Sequence, residues 1–146
     1  MIWGAISLRG LLLKVTRGHV NSESYQQILH EWLITSARVL YPGGFIFQQD
    51  NATPHTSRST KEFLKEQKVE VLPWPANSPD LNPIENLWAI MKKSVEKQDP
   101  RDTKGIERAV TLFWKNISHE VLESLINSMP KRISLCIAAQ GEKIDY

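Results

Sequence analysis

Two acidic residues of this chain stand where acids can do chemistry. Asp50 follows a short apolar and aromatic run, Phe45-Ile46-Phe47, and the polar pair Gln48-Gln49, downstream of the breaker Pro42-Gly43-Gly44. The run reads as a brief buried strand with Asp50 at its end. Glu85 stands three positions after Asn82, a good helix N-cap, with Pro83 in the first helical position. One carboxylate therefore lies at a strand end and the other in the first turn of a helix, with 34 residues between them. Mg²⁺ prefers oxygen ligands and is often held by one or two carboxylates plus substrate phosphates. Two such ions about 3.5–4 Å apart stabilise both the attacking and the leaving oxygen of an in-line phosphoryl displacement. Taken singly, each acid has a plainer explanation. Asp50 is a turn residue after a strand, and Asn82-x-x-Glu85 is a capping-box pattern in which Glu85 bonds back to the Asn82 amide.

The residues around the two acids tilt the reading toward chemistry. Residues 48–55 read Gln-Gln-Asp-Asn-Ala-x-Pro-His, and residues 74–88 read Trp-Pro-x-x-Ser-Pro-Asp-Leu-Asn-Pro-Ile-Glu-Asn-Leu-Trp. This text resembles the DDE-type transposases of the Tc/mariner superfamily, and the gap of 34 residues matches one branch of it. Ser128-Met129-Pro130-Lys131-Arg132, followed by Ile137-Ala138-Ala139-Gln140-Gly141, resembles the C-terminal end of the same family. The resemblance implies a ribonuclease-H-like α/β fold, a mixed sheet flanked by helices with extra helices at the C-terminal end. It implies Asp50 and Glu85 as catalytic, metal-holding residues, with Mg²⁺ or Mn²⁺ as cofactor. It also implies Asn51 and His55 as supporting residues, DNA (transposon ends and target) as partner, a second copy or a full-length transposase as protein partner, and the nucleus as location.

Members of this family carry three carboxylates, Asp, Asp and Glu. Asp50 matches the second and Glu85 the third, and the first is expected on a strand upstream of Ile2-Trp3-Gly4. No aspartate precedes Asp50, and Glu23 and Glu31 belong to a helical stretch. The expectation is an N-terminally truncated catalytic domain over residues 1–146, lacking its first, central strand, the DNA-binding helix-turn-helix region and the first acid, and therefore inactive alone. Loss of a central strand leaves unpaired backbone groups on two strand edges. The competing expectation is a truncated or co-opted domain that binds DNA or a full-length transposase without cutting.

Composition is compatible with either. A chain of 146 residues with 41% hydrophobic content and five tryptophans suits one folded domain. The net charge of +2 and a pI near 8.7 are mildly basic, so DNA contact must come from local clustering. Lys92 and Lys93, and Lys131 and Arg132, are the candidate DNA-contacting pairs; plain solubility and pairing with helix C-termini explain them equally well. The single cysteine, Cys136, lies in an apolar run and reads as a buried, inert thiol. No stretch is long and apolar enough for a membrane span, and no Gly-rich phosphate loop or zinc spacing occurs.

The elements that position the acids follow from periodicity. Residues 2–6 and 11–15 read as a hairpin. Residues 22–40 read as one helix capped by Ser22, with Tyr25, Ile28, Leu29, Trp32, Leu33, Val39 and Leu40 facing inward. Residues 56–68 read as a polar helix burying Phe63 and Leu64, and residues 69–72 as a strand. Pro73, Pro75 and Pro79 make the next stretch a stiff loop, because each proline fixes φ. A helix from Pro83 to about Lys97 buries Ile84, Leu87, Trp88, Met91 and Val95, with Glu85 on the other side beside Ala89, Lys92 and Lys93. Two helices follow, the first carrying Ile106, Val110, Phe113, Trp114 and Ile117, the second Val121, Leu122, Leu125, Ile126 and Met129. A last helix spans residues 131–140.

Overall fold

A computed structural model describes residues 1–146. The contacts group into two compact units, residues 1–4 with 14–77 and residues 5–13 with 78–146. Strands β1 (Ile2–Ser7) and β2 (Gly10–Val15) form the expected hairpin. Ser7 closes its turn, its Oγ donating to the Gly10 carbonyl and accepting the Arg9 amide. At the open end the Met1 ammonium donates to the Thr16 carbonyl and the Thr16 amide to the Met1 carbonyl.

In the first unit, residues 22–40 are helical throughout, as α1 (Ser22–Ile28), a π-helical stretch (Leu29–Ile34) and α2 (Thr35–Leu40). Two details depart from expectation. The cap is Asn21 rather than Ser22: the Asn21 Oδ1 accepts the Ser24 amide at 2.9 Å while the Ser24 Oγ accepts the Asn21 amide at 3.0 Å, a reciprocal box that serine at position 22 has no partner to build. The π stretch fits an extra residue into a turn, which rotates everything after it. Ile34 and Ala37 are therefore buried, and Val39, expected inside, is 78% exposed. Strand β3 (Ile46–Phe47) runs parallel to β4 (Glu70–Val71), with Ile46 opposite Glu70 and Phe47 opposite Val71. Helices α3 (Thr53–Thr56) and α4 (Arg58–Glu66) make the crossover between them, with Thr60 and Leu64 buried. The expected mixed sheet is thus represented by two separate two-stranded pairs.

The second unit is mainly helical. After a 3₁₀ turn (Pro79–Leu81) come α5 (Pro83–Glu96), α6 (Thr103–Lys115), α7 (His119–Asn127) and α8 (Met129–Ala138). Its core holds Leu87, Met91, Val110, Trp114, Leu122 and Ile144. Trp88 and Trp114 stack with ring centroids 5.1 Å apart, and the Trp114 Nε1 is buried without a partner. Gly105, in the first turn of α6, sits in tight space: a Cβ there would lie 3.0 Å from the Asp102 Oδ1 that caps the helix and would press on it.

Candidate active site

Asp50 emerges three residues past the end of β3, and its neighbours hold it by its carboxylate. Its Oδ1 accepts the Ala52 amide at 2.9 Å, a tight turn that aspartate makes readily, and the His55 Nδ1 at 2.6 Å. With a carboxylate as acceptor, that Nδ1 carries the proton. The Oδ2 makes no hydrogen bond, and the Asp50 side chain is 57% exposed against 21% for His55. The imidazole is fixed in turn by the Tyr25 ring, stacked at 4.1 Å. The Tyr25 hydroxyl donates to the Gln49 Oε1 at 2.7 Å. Burial, reinforced by the negative charge of Asp50, pushes the Tyr25 pKa far above the ordinary phenol value, against a lowering hydrogen bond from Trp3, so it stays a donor. The Asn51 Nδ2 donates to the Trp74 carbonyl at 3.0 Å and ties the strand end to the proline-rich loop. Beside Asp50 opens a cavity of about 400 Å³, with Asn51, His55, Lys61, Lys65 and Trp74 in its walls.

Glu85 is positioned by backbone. Its amide donates to the Asn82 carbonyl at 3.1 Å, and the Asn82 Oδ1 accepts the Ile84 amide at 3.3 Å. The Asn82 amide, which a capping box would assign to Glu85, donates to the Pro79 carbonyl at 3.0 Å. Helix α5 buries Pro83, Leu87 and Met91, and leaves Glu85, Ala89, Lys92 and Lys93 exposed, as the periodicity requires. An acid in a first turn is favoured by the helix dipole.

Lys131 is exposed, but Arg132 overturns its expected place on a basic surface. It is fully buried, with the Nη1 on the Asp80 carbonyl at 2.6 Å, the Nη2 on the Asn86 Oδ1 at 2.7 Å and the Nε on the Ser128 Oγ at 2.8 Å. Its Cζ lies 3.9 Å from the Tyr146 ring centroid. Each guanidinium nitrogen is hydrogen-bonded and the side chain is buried, so it presents no charge on the surface for a phosphate. Sequence reasoning also missed Tyr25 and Gln49 as supports of Asp50. Adjacency of Gln49 to Asp50 is the one signal that pointed there.

The donor set suits a hard cation. No group of three His, Cys, Asp or Glu side chains placed to hold a metal ion occurs. An exposed carboxylate with one uncommitted oxygen is the kind of sparse ligand that Mg²⁺, retaining waters and taking substrate phosphates, commonly uses. The family model of the DDE superfamily endonucleases matches residues 1–107, and the chain belongs to that family, in its Tc/mariner branch. It is 39% identical over 149 residues to the Tc3 transposase of Caenorhabditis elegans, spanning all of this chain and 45% of that protein. To the Tcb2 transposase of Caenorhabditis briggsae it is 32% identical over 147 residues, 54% of that protein. The chain thus spans about half the length of these relatives. Among solved structures, the Mos1 transposase catalytic domain with raltegravir and Mn matches at a TM-score of 0.81 and 27% identity, over 94% of this chain and 72% of that one. A Mos1 paired-end complex with the left transposon end matches at 0.85, also 27% identical, over 99% of this chain and 44% of that one. The likeness identifies the fold as ribonuclease-H-like.

Proposed function

We propose that these 146 residues are catalytic-domain sequence of a cut-and-paste DNA transposase, in which Asp50 and Glu85 are metal-holding carboxylates. The observation that carries the reading is the Asp50 carboxylate: one oxygen is pinned by His55 and Ala52, and the other is exposed and uncommitted. The family match and the Mn-containing and DNA-end complexes of Mos1 support it. When bound, Mg²⁺ or Mn²⁺ lowers the pKa of an attacking hydroxyl and offsets charge on the leaving oxygen. The chain's own residues do the rest. His55 holds the carboxylate in one orientation by donating from its Nδ1, and Tyr25 holds the imidazole by stacking. Asn51 fixes the loop that leads toward α5. Lys92, Lys93 and Lys131, all exposed, offer positive charge to DNA phosphates.

Asp50 and Glu85 match two acids of the family pattern, and the 146-residue polypeptide by itself is expected not to nick or join transposon-end DNA. Mn²⁺ titration by calorimetry on the chain and its Asp50→Asn and Glu85→Gln variants tests the ligands. Each variant is expected to bind at least about tenfold more weakly, a loss of about 1.4 kcal/mol. Equal affinity in all three proteins, or Asp50-dependent nicking by the chain itself, refutes the corresponding half of the proposal.

A further inference from the structure

Arg132 is the one charged side chain in the core, and nothing in a metal-dependent nuclease reading uses it. A buried cation is costly unless its donors are met, and here they are met from three segments while an aromatic ring of a fourth covers the guanidinium. The Nη1 is held by the carbonyl of Asp80 in the 3₁₀ turn that precedes α5. The Nη2 is held by Asn86, the residue after Glu85. The Nε is held by Ser128, at the junction of α7 and α8, and the ring of Tyr146 covers the guanidinium. The same turn is tied a second time, because the Asp80 Oδ2 accepts the Ile144 amide at 2.8 Å, and Ile144 is buried. Burial lowers the arginine's pKa, and the neighbouring Tyr146 and Asp80 raise it.

The contacts fall on both sides of one short stretch. Asp80 lies just before the cap of α5 and Asn86 just after Glu85, so the guanidinium spans the first turn with two separate donors of a rigid fork. Lysine, whose three donors share one nitrogen, does not reproduce that fork. We infer that Arg132 is a positioning residue for Glu85, clamping the first turn of α5 between the Asp80 carbonyl and the Asn86 side chain. The inference rests on the reading of Glu85 as a metal ligand. The text Ser-Pro-Asp-Leu-Asn-Pro-Ile-Glu-Asn then has a division of labour: Glu85 faces outward while Asp80 and Asn86 face the clamp.

Two readouts on the 146-residue protein test this. Without metal, Arg132→Lys is expected to speed hydrogen exchange of the Ile84 and Glu85 amides at least about tenfold, since these donate to the Asn82 cap. With Mn²⁺, the same variant is expected to bind at least about threefold more weakly, and Asn86→Ala, which keeps the arginine, to weaken binding in the same direction. Ser128→Ala removes a bond from the far side of the guanidinium. It is expected to lower Tm while leaving Mn²⁺ affinity within about twofold, which separates positioning from general destabilisation. In a Glu85→Gln background, Arg132→Lys is expected to change the residual affinity no further. Unchanged exchange at Ile84 and Glu85 in both Arg132→Lys and Asn86→Ala overturns the inference, as does an equal loss of Mn²⁺ affinity in Ser128→Ala and Asn86→Ala. A wild-type chain that binds Mn²⁺ no better than Glu85→Gln refutes the metal reading instead, and the exchange data then decide the clamp by themselves. If Arg132→Lys does not fold, Asn86→Ala supplies both measurements.

Discussion

The two acids are held in opposite ways. Asp50 is fixed by partners two and five residues along the chain, the Ala52 amide and the His55 imidazole, acting on the carboxylate itself. Glu85 is fixed through its backbone, in a turn secured by Arg132 from 52 and 46 residues away and by Ile144 from 64. The first arrangement aims one side chain and leaves an oxygen over. The second aims the first turn of a helix through its backbone. Local contacts cost little loop-closure entropy and long ones cost more, so the Glu85 end depends on the packing of its whole unit. The contrast teaches that removing a support of Asp50 should disturb one carboxylate, whereas removing a support of Glu85 should unsettle a core.

Substitutions test that contrast in order of size. Arg132→Ala is expected to cost on the order of 3–5 kcal/mol, because it leaves acceptors unmet and a cavity behind. Thermal unfolding followed by circular dichroism measures it, and a loss under about 1 kcal/mol would erase the distinction. His55→Ala, which removes the carboxylate bond and the Tyr25 stack, is expected to cost about 1–2 kcal/mol by urea unfolding. A loss equal to that of Arg132→Ala would show Asp50 to be as deeply embedded as Glu85. Asn82→Ala removes only the cap of α5 and is expected to cost about 1 kcal/mol. Glu85→Gln is expected to cost less stability than Asn82→Ala while losing the ion, since the Asn82 amide is already bonded to Pro79 and glutamine keeps a side-chain oxygen that can accept. A stability loss beyond about 1 kcal/mol would assign Glu85 a structural task.

What could be read in the sequence divides along the same line. The strand before Asp50, the breaker at Pro42-Gly43-Gly44, the Asn82-Pro83 start of α5 and the outward face of Glu85 are all local, set by turn chemistry and helical period. Arg132 could not be read this way. Beside Lys131 it looks like a surface cation, and its burial depends on a carbonyl and an amide some fifty residues upstream. The π-helical stretch was equally silent, because Leu29–Ile34 carries ordinary helix formers and only the packing of Ile34 and Ala37 reveals the added residue. The choice of Asn21 over Ser22 as cap turned on one position, where the reciprocal bond from Ser24 decides. The stacking of Tyr25 on His55, 30 residues apart, likewise belongs to tertiary structure.

The stacked Trp88 and Trp114 rings carry a consequence for optics. Two indoles at 5.1 Å and 27° are near enough for their electronic transitions to mix, which produces a paired positive and negative band in circular dichroism. Both belong to the unit that carries Glu85, while Trp3, Trp32 and Trp74 belong to the other. One ring of the pair stands three residues from Glu85, so the couplet serves as an optical probe of the unit that carries that acid.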